Sequence, residues 1–294
     1  MAATPVLGRV LSAMVTPMHT DGSLDLEAAA RLATYLVDAG HDGLVVSGTT
    51  GESPTTTDSE KVRLLETVVE AVGGRAVVIA GVGTNNTAHS VECARAAATA
   101  GADAVLVVTP YYNKPPQAGL VAHFTAVADA TDLPVMLYDI PGRSGIAIAK
   151  DTYLEIAKHP NIVAVKDARA DLWLASELMA ATDLLWYSGD DAMNLAHFVN
   201  GATGFVGVTS QTSPAAYRRM ADAVLDGRWD DARAIHRELI PLVEAVMTIT
   251  QGAIMAKAAL ALQGIIPSPT VRLPLVEADQ AQTALLATRL DLTH

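Results

Sequence analysis

Short apolar or β-branched runs alternate along the chain with longer, alanine-rich segments whose apolar residues recur at helical spacing. This alternation predicts parallel strands covered by helices, because strands buried on both faces read as continuous apolar runs. Eight runs are predicted as strands, at residues 10–15, 43–46, 77–80, 104–108, 135–138, 162–165, 184–187 and 204–208. Eight is the number of strands that closes a (β/α)8 barrel, so we predict an α/β fold of the TIM-barrel class.

The strand pattern stops after about Pro214, and the remainder reads as helices, broken near residues 264–269 and again near Pro274. No Ser/Gly-rich linker or charge block marks an independent domain. We therefore predict a catalytic barrel at residues 1–224 and a C-terminal helical extension, residues 225–294, packed on it. The alanine-rich stretch that contains Lys257 is interpreted as a buried helix, since no apolar run reaches the ~18 residues of a membrane span.

Composition narrows the class of protein. A length of 294 residues allows one large barrel or two ordinary domains, and a net charge of -12 without a basic cluster disfavours nucleic acid and anionic membranes as partners. The single cysteine, Cys93, cannot form an internal disulfide, and no secretion signal is recognisable, so a cytoplasmic enzyme is expected. No two histidines are four residues apart and no Cys or carboxylate cluster has metal-ligand spacing, so no metal is predicted.

Lys166 directly follows the apolar run 162–165. At the apolar mouth of a packed barrel, desolvation lowers the pKa of a lysine, and the free amine can then attack a ketone. An ordinary solvated or ion-paired lysine beside Asp167 is the alternative. Because the carboxyl ends of all barrel strands meet on one face, the residues that follow the other strands decide between these two interpretations.

The loop of residues 48–53, Gly-Thr-Thr-Gly-Glu-Ser, follows the second predicted strand. Its glycines allow backbone amides to approach a ligand, and with Thr49 and Thr50 these amides can bind a small carboxylate. One of the threonines can also relay a proton. Thr57 or Asp58 is predicted to cap the helix that follows, which leaves the paired threonines for binding.

Aromatic and charged side chains follow the fourth and fifth strands. Tyr138 and Arg143 bring a phenol and a guanidinium to the same rim, as a proton carrier and a carboxylate ligand. Taken alone, Tyr138 is more typical of barrel packing, and its combination with Lys166 and Arg143 favours the catalytic interpretation. The doublet Tyr111-Tyr112 stands out in a chain with 4% aromatic residues and indicates either a subunit interface or a cap over the barrel mouth.

The seventh strand ends in Ser188-Gly189-Asp190-Asp191. Paired acidic residues can form a metal site or an acid and base pair, but they also commonly begin helices. We interpret Asp190 and Asp191 as helix-capping residues. Gly189 is expected to present its backbone to a ligand.

Together, residues 48–53, the Tyr111-Tyr112 doublet, Tyr138 with Arg143, Lys166 in Val-Lys-Asp, and residues 188–191 resemble the dihydrodipicolinate synthase family. This family belongs to the superfamily of class I pyruvate-dependent aldolases and N-acetylneuraminate lyase. The resemblance covers nearly the whole chain in order. It implies a carbon–oxygen lyase that condenses pyruvate with L-aspartate 4-semialdehyde, the committed step of diaminopimelate and lysine biosynthesis, without a cofactor.

The resemblance also implies the roles of individual residues. The pyruvate imine forms on Lys166; the other implied site residues are the proton carriers Tyr138, Thr50 and Tyr112, the pyruvate-carboxylate ligands Thr49 and Thr50, the semialdehyde-carboxylate ligand Arg143, and Gly189 and Val206, whose backbones line the pocket. Tyr112 is expected to enter from a neighbouring subunit of a homotetramer built as a dimer of dimers. Asp139 departs from the asparagine that is commoner in the family.

A second departure concerns regulation. Lysine-inhibited members of the family often bind the effector with two histidines and a glutamate at a subunit interface. The matching positions here are Asp58, Lys61 and His89, while Asn85 and Tyr111 are retained. Because these changes remove a carboxylate and add a cation, the degenerate effector site is predicted to respond poorly to lysine.

Two other functions are compatible with the barrel and its lysine. Related sugar-acid aldolases use the same imine but usually lack an arginine in the loop that carries Arg143. A catalytically silent relative that binds pyruvate-like acids should have lost the amine, the phenol or the guanidinium. All three groups are present, so the synthase is the leading hypothesis, although a fold alone does not establish a function.

Overall fold

The computed structural model describes residues 5–292. Its strands are Val10–Ala13 (β1), Gly43–Val46 (β2), Val77–Gly81 (β3), Ala104–Val108 (β4), Val135–Asp139 (β5), Ile162–Asp167 (β6), Leu185–Ser188 (β7) and Gly204–Gly207 (β8). Its α-helices are Leu26–Asp38 (α1), Asp58–Val72 (α2), Thr87–Thr99 (α3), Gln117–Ala128 (α4), Pro141–Ser144 (α5), Lys150–Ile156 (α6), Leu172–Ala181 (α7), Asn194–Val199 (α8), Pro214–Leu225 (α9), Trp229–Met247 (α10), Gly252–Leu262 (α11) and Gln280–Arg289 (α12).

The eight strands close into a barrel. Each strand pairs in parallel with the next, and β8 pairs with β1. Most strand residues are buried, as expected when the interior is filled by side chains and the exterior is covered by helices. The predicted (β/α)8 barrel is confirmed, and the observed strand ends lie within two residues of the predicted ones.

Parallel register brings the polar strand ends together on one rim of the barrel. Lys166 in β6 is level with Tyr138 in β5 and with Tyr187 in β7. One position further on, Asp167 is level with Asp139 and Ser188. The rim at the carboxyl ends of the strands is therefore the place where chemistry-bearing side chains meet.

A capping box fixes the helix that follows the Gly-Thr-Thr-Gly-Glu-Ser loop. The Thr57 hydroxyl accepts a hydrogen bond from the Glu60 amide at 3.3 Å, and the Glu60 carboxylate accepts one from the Thr57 amide at 2.8 Å. Of the two predicted caps, Thr57 is thus the one observed. The loop is held between β2 and a helix with a defined start.

Helices α10, α11 and α12 form the C-terminal extension. Helix α11 is buried along most of its length, and Lys257 within it is fully buried, which confirms that prediction. The proposed boundary between residues 224 and 225 falls at the end of α9 and stays a prediction. Within residues 5–292, no single helix is long and apolar enough to cross a membrane; α10 and α11 pass that test only as a pair bent by 114°.

Candidate active site

Lys166 lies at the barrel mouth with only 4% of its surface exposed. Its Nζ is 4.3 Å from the centre of the Tyr138 ring, a contact in which the aromatic face replaces part of the lost hydration. Burial lowers the pKa of Lys166 to about 8; the Asp191 carboxylate opposes this shift and the Arg143 guanidinium adds to it. About a tenth of the amine is therefore uncharged at pH 7, against well under a thousandth at the ordinary lysine pKa, and this uncharged form is the nucleophile.

Tyr138 completes a pair of complementary groups with Lys166. Burial raises the pKa of Tyr138 to about 12, while the Arg143 charge and a side-chain hydrogen bond with Thr49 act in the opposite direction. The phenol consequently keeps its proton at neutral pH, and it can donate that proton to an oxygen developing next to the lysine.

A cavity of about 190 Å³ opens beside these groups. Thr49, Tyr138, Arg143 and Tyr111 line it, together with backbone from the loop at Gly48. The walls thus offer hydroxyls and a guanidinium within a largely apolar enclosure, which suits small carboxylic acids. The structure brings together five of the predicted positions, since Lys166 contacts Tyr138 and Gly189, and Thr49 and Arg143 surround Tyr138.

Close packing against Lys166 requires glycine at position 189. A Cβ atom at Gly189 would lie 2.8 Å from Cγ and 3.1 Å from Cε of Lys166. The Gly189 amide donates to the Asp167 carbonyl at 2.7 Å, which fixes the turn in this position. Gly189 thus lies against Lys166, and the presentation of its backbone to a ligand stays a prediction.

Asp191 is a group that the sequence analysis assigned to another role. Asp190 does cap the short turn, accepting from the Ala192 amide at 3.0 Å, whereas Asp191 is buried. Its carboxylate accepts from the Val208 amide at 2.8 Å and the Thr209 amide at 3.0 Å. Burial raises the pKa of Asp191, and its charge acts on Lys166. The capping interpretation of Asp191 is therefore wrong.

Asp139, the departure from the commoner asparagine, is embedded in polar contacts. Its Oδ2 accepts from the Tyr153 hydroxyl at 3.0 Å, the Ile148 amide at 3.2 Å and the Arg169 guanidinium at 3.3 Å. Burial nevertheless raises the pKa of Asp139 to about 6, with Arg169 opposing the shift. The carboxylate belongs to a buried network that ties β5 to the segment after β6.

The loop of residues 48–53 is anchored to the C-terminal extension through Glu52. This residue is 2% exposed and has a left-handed backbone (φ 56°), a conformation that costs a non-glycine residue about 1–3 kcal/mol. Its carboxylate accepts from Nζ of Lys257 and from the Arg272 amide at 2.9 Å. Lys257 also donates to the Thr270 carbonyl at 2.6 Å. The anchor holds the loop in its strained conformation.

Three predicted residues occupy different surroundings. Thr50 and Val206 are buried, in the loop of residues 48–53 and in β8. Tyr112 is 88% exposed, has a positive φ of 74°, and does not line the described cavity. Tyr112 therefore forms no part of the wall of this cavity, and its role stays a prediction.

Residues 6–291 match the model of the dihydrodipicolinate synthetase family. The chain belongs to this family. It is 57% identical over 293 residues to the 4-hydroxy-tetrahydrodipicolinate synthase of Kineococcus radiotolerans, covering 99% of this chain and 95% of that protein. It is 58% identical over 279 residues to the same enzyme of Acidothermus cellulolyticus, covering 95% and 90%.

Solved structures of the dihydrodipicolinate synthetase family have the same fold. A dihydrodipicolinate synthase of Bacillus anthracis superposes with a TM-score of 0.94 at 39% identity, over 97% of this chain and 98% of that one. The enzyme of Cyanidioschyzon merolae, solved with lysine bound, gives a TM-score of 0.93 at 41% identity and the same coverage. The family predicted from the sequence is confirmed.

The predicted effector residues fall into two groups. Asp58 Oδ2 is 2.8 Å from His89 Nε2, and Asp58 Oδ1 is 3.4 Å from Lys61 Nζ. The hydrogen bond from His89 is the main cause that lowers the pKa of Asp58. Asn85 and Tyr111 are neighbours through the Asn85 backbone. The Asp58 carboxylate is thus already paired with two side chains of its own subunit. This pairing would disfavour a cationic effector, and poor sensitivity to lysine stays a prediction.

Proposed function

We propose that this chain is a cytoplasmic 4-hydroxy-tetrahydrodipicolinate synthase that joins pyruvate to L-aspartate 4-semialdehyde through an imine on Lys166. The observation that carries the proposal is the buried Lys166 amine, with a pKa lowered to about 8, in contact with the Tyr138 phenol. Membership of the family and the names of its curated members support the same reaction.

The proposed reaction begins when the Lys166 amine attacks the keto carbon of pyruvate. The carbinolamine loses water to give an iminium ion, which draws electrons from the methyl group as that group loses a proton. The resulting enamine carbon forms a bond to the aldehyde carbon of the semialdehyde, whose oxygen takes up a proton and becomes the hydroxyl. The amino group of the bound semialdehyde then attacks the iminium carbon and displaces Lys166, which closes the ring.

The remaining side chains hold substrates and move protons in this scheme. Tyr138 donates a proton to the leaving hydroxyl of the carbinolamine, because its phenol stays protonated at neutral pH. Thr49 and Thr50 hold the pyruvate carboxylate with the loop amides. Arg143, on the cavity wall, forms a bidentate contact with the semialdehyde carboxylate.

Arg143 also distinguishes the synthase from a sugar-acid aldolase. Initial rates should be measured with pyruvate and either aspartate semialdehyde or long polyhydroxylated aldehydes. We expect turnover with the semialdehyde, and a rise of about 10- to 100-fold in its KM for Arg143→Met, because a charge-assisted contact is worth about 1.5–3 kcal/mol. Faster turnover of the sugar aldehydes, unaffected by Arg143→Met, would contradict the proposed substrate.

We further propose that the enzyme is a homotetramer, a dimer of dimers, in which Tyr112 enters the site of the neighbouring subunit. An aromatic side chain that is 88% exposed on a strained backbone supports this, because such residues are typical of covered interfaces. Subunit exchange between Lys166→Met and Tyr112→Phe tests it. In a mixed dimer one of the two sites regains both groups, and random exchange makes about half of the dimers mixed, so the mixture should regain about a quarter of the wild-type activity. If Tyr112 acts within its own subunit, mixing restores nothing.

A further inference from the structure

Three metal-ligating side chains meet beside the barrel, apart from the imine site. His89 and Cys93 are four residues apart in α3, so their side chains share one face of that helix. Asp58, at the start of α2, faces them. A carboxylate oxygen, an imidazole nitrogen and the thiol sulfur all lie within 4.8 Å of one another.

We propose that Asp58, His89 and Cys93 bind a divalent cation of the zinc class. Thiolate, imidazole and carboxylate are the ligands that Zn²⁺ prefers, and three protein ligands leave a fourth tetrahedral position for water. Magnesium and calcium are disfavoured, since both require six or more oxygen ligands. Metal–ligand bonds of 2.0–2.3 Å place tetrahedral ligands roughly 3.3–3.8 Å apart, so shifts of about 1 Å complete the site.

The pairing of Asp58 is compatible with this site. Its Oδ1 faces Lys61 at 3.4 Å, whereas Oδ2 faces His89 Nε2 at 2.8 Å. A cation that enters between Asp58 and His89 takes Oδ2 and the imidazole lone pair. Lys61 can remain on Oδ1 and hold the carboxylate in place, as outer partners of metal ligands commonly do.

An independent observation places a cavity and a buried, unpartnered hydroxyl beside the cluster. A cavity of about 170 Å³ lies between α2 and α3, and both Asp58 and Cys93 line it. Ser47, also in its wall, is 5% exposed, and its hydroxyl finds no hydrogen-bond partner among residues 5–292. This volume accommodates an ion with bound water, and the Ser47 hydroxyl offers such a water a partner.

The wall of this cavity adjoins the active site. Ser47 and Gly81 line both the metal-site cavity and the cavity at Tyr138. Two of the three substituted effector positions, Asp58 and His89, supply ligands to the proposed site. The same substitutions that disfavour a cationic amino acid therefore provide a ligand set for a metal cation.

Cobalt substitution tests the proposal directly. The full-length protein is freed of metal with a chelator and titrated with Co²⁺. We expect a thiolate-to-cobalt charge-transfer band and intense visible bands of tetrahedral coordination, both saturating at one equivalent. Because Cys93 is the one cysteine in the sequence, the charge-transfer band identifies it as a ligand. Competition with a chromophoric chelator then measures the affinity for Zn²⁺.

Single substitutions identify the other ligands. Asp58→Asn, His89→Gln and Cys93→Ser should each weaken Zn²⁺ binding at least about 10-fold. His159→Gln is the matched control, since His159 forms a similar imidazole–carboxylate pair with Asp129 at 3.1 Å outside the cluster, and it should change nothing. Trapping of pyruvate by each variant verifies that the fold is intact.

Two results would overturn the site. One is the absence of a charge-transfer band at equimolar Co²⁺ in folded protein. The other is a band, or a Zn²⁺ affinity, that persists unchanged in both Asp58→Asn and His89→Gln, which would show that Cys93 binds metal without the cluster.

Discussion

The anchor between the loop of residues 48–53 and the C-terminal extension gives the sharpest stability prediction. Lys257→Met replaces a fully buried ammonium with an apolar side chain of similar length and leaves the Glu52 carboxylate, 2% exposed, without its charge partner. Breaking a buried ion pair on one side costs about 3–5 kcal/mol, because the remaining charge stays desolvated. The Arg272 amide still donates to Glu52 at 2.9 Å, so we expect a loss near the lower end of that range.

Urea unfolding of three variants separates the pair from general packing damage. Lys257→Met alone should lose about 3 kcal/mol, whereas the double variant Glu52→Gln/Lys257→Met should lose less, since no uncompensated charge remains. Lys150→Met is the matched control. Lys150 forms a salt bridge with Glu177 at 2.7 Å, and the two side chains are 44% and 35% exposed. Such exposed pairs contribute about 0–1 kcal/mol to stability.

The same variant tests whether the anchor positions the active site. Glu52 directly follows the Thr49-Thr50-Gly51 segment, so a loosened loop should weaken pyruvate binding, and a misplacement of about 1 Å can cost about 100-fold in rate. We expect a higher KM for pyruvate in Lys257→Met, with partial recovery in the double variant. A loss below about 1 kcal/mol together with unchanged pyruvate kinetics would refute the reasoning.

Three further predictions concern the lysine and its surroundings. Lys166→Met should stabilise the protein at pH 7 by about 3 kcal/mol, because a lysine pKa of about 8 in the folded state, instead of 10.5, makes the wild-type ammonium costly to bury. This gain should shrink as the pH rises from 8 to 10.5, and urea titrations at several pH values measure it. The rate of pyruvate imine formation should rise through pH 8 as the amine loses its proton, and a rate independent of pH between 6 and 9 would contradict the lowered pKa. Gly189→Ala should reduce kcat/KM about 100-fold by displacing Lys166, whereas Gly142→Ala, whose Cβ meets no atom within 4 Å in the described chain, should have little effect.

The prediction of weak lysine regulation has its own test. Because Asp58 is already paired with His89 and Lys61, added lysine should inhibit only weakly. Steady-state rates with increasing lysine measure this. Strong inhibition at micromolar lysine would show that the effector site is intact.

The barrel was predictable because each strand is a short apolar run followed by a turn. The sequence pattern ended β6 at Val165, yet the ladder continues through Lys166 and Asp167, which pair with Tyr138 and Asp139. Polar residues at the end of a strand break the apolar pattern without breaking the hydrogen bonds. The convergence of strand ends also predicted that Lys166 and Tyr138 would be neighbours, as they are.

Contacts between distant segments were not predictable in the same way. Glu52 and Lys257 are 205 positions apart, and nothing in the local pattern of either segment indicates the other. Asp191 looked like a cap because acidic residues often begin helices, and its burial depends on amides from the segment after β8. The sequence analysis assigned no metal site to His89 and Cys93, because the third proposed ligand, Asp58, lies on another helix.

The central claim is that Lys166 forms the imine with pyruvate. Borohydride trapping with pyruvate, followed by intact mass and peptide mapping, tests it most directly, and Lys257 serves as an internal comparison because it is fully buried but paired with Glu52. The account predicts one reduced pyruvate adduct per chain on the Lys166 peptide, none on the Lys257 peptide, and none in Lys166→Met. Full labelling of Lys166→Met, or no adduct in active, folded protein, would contradict it.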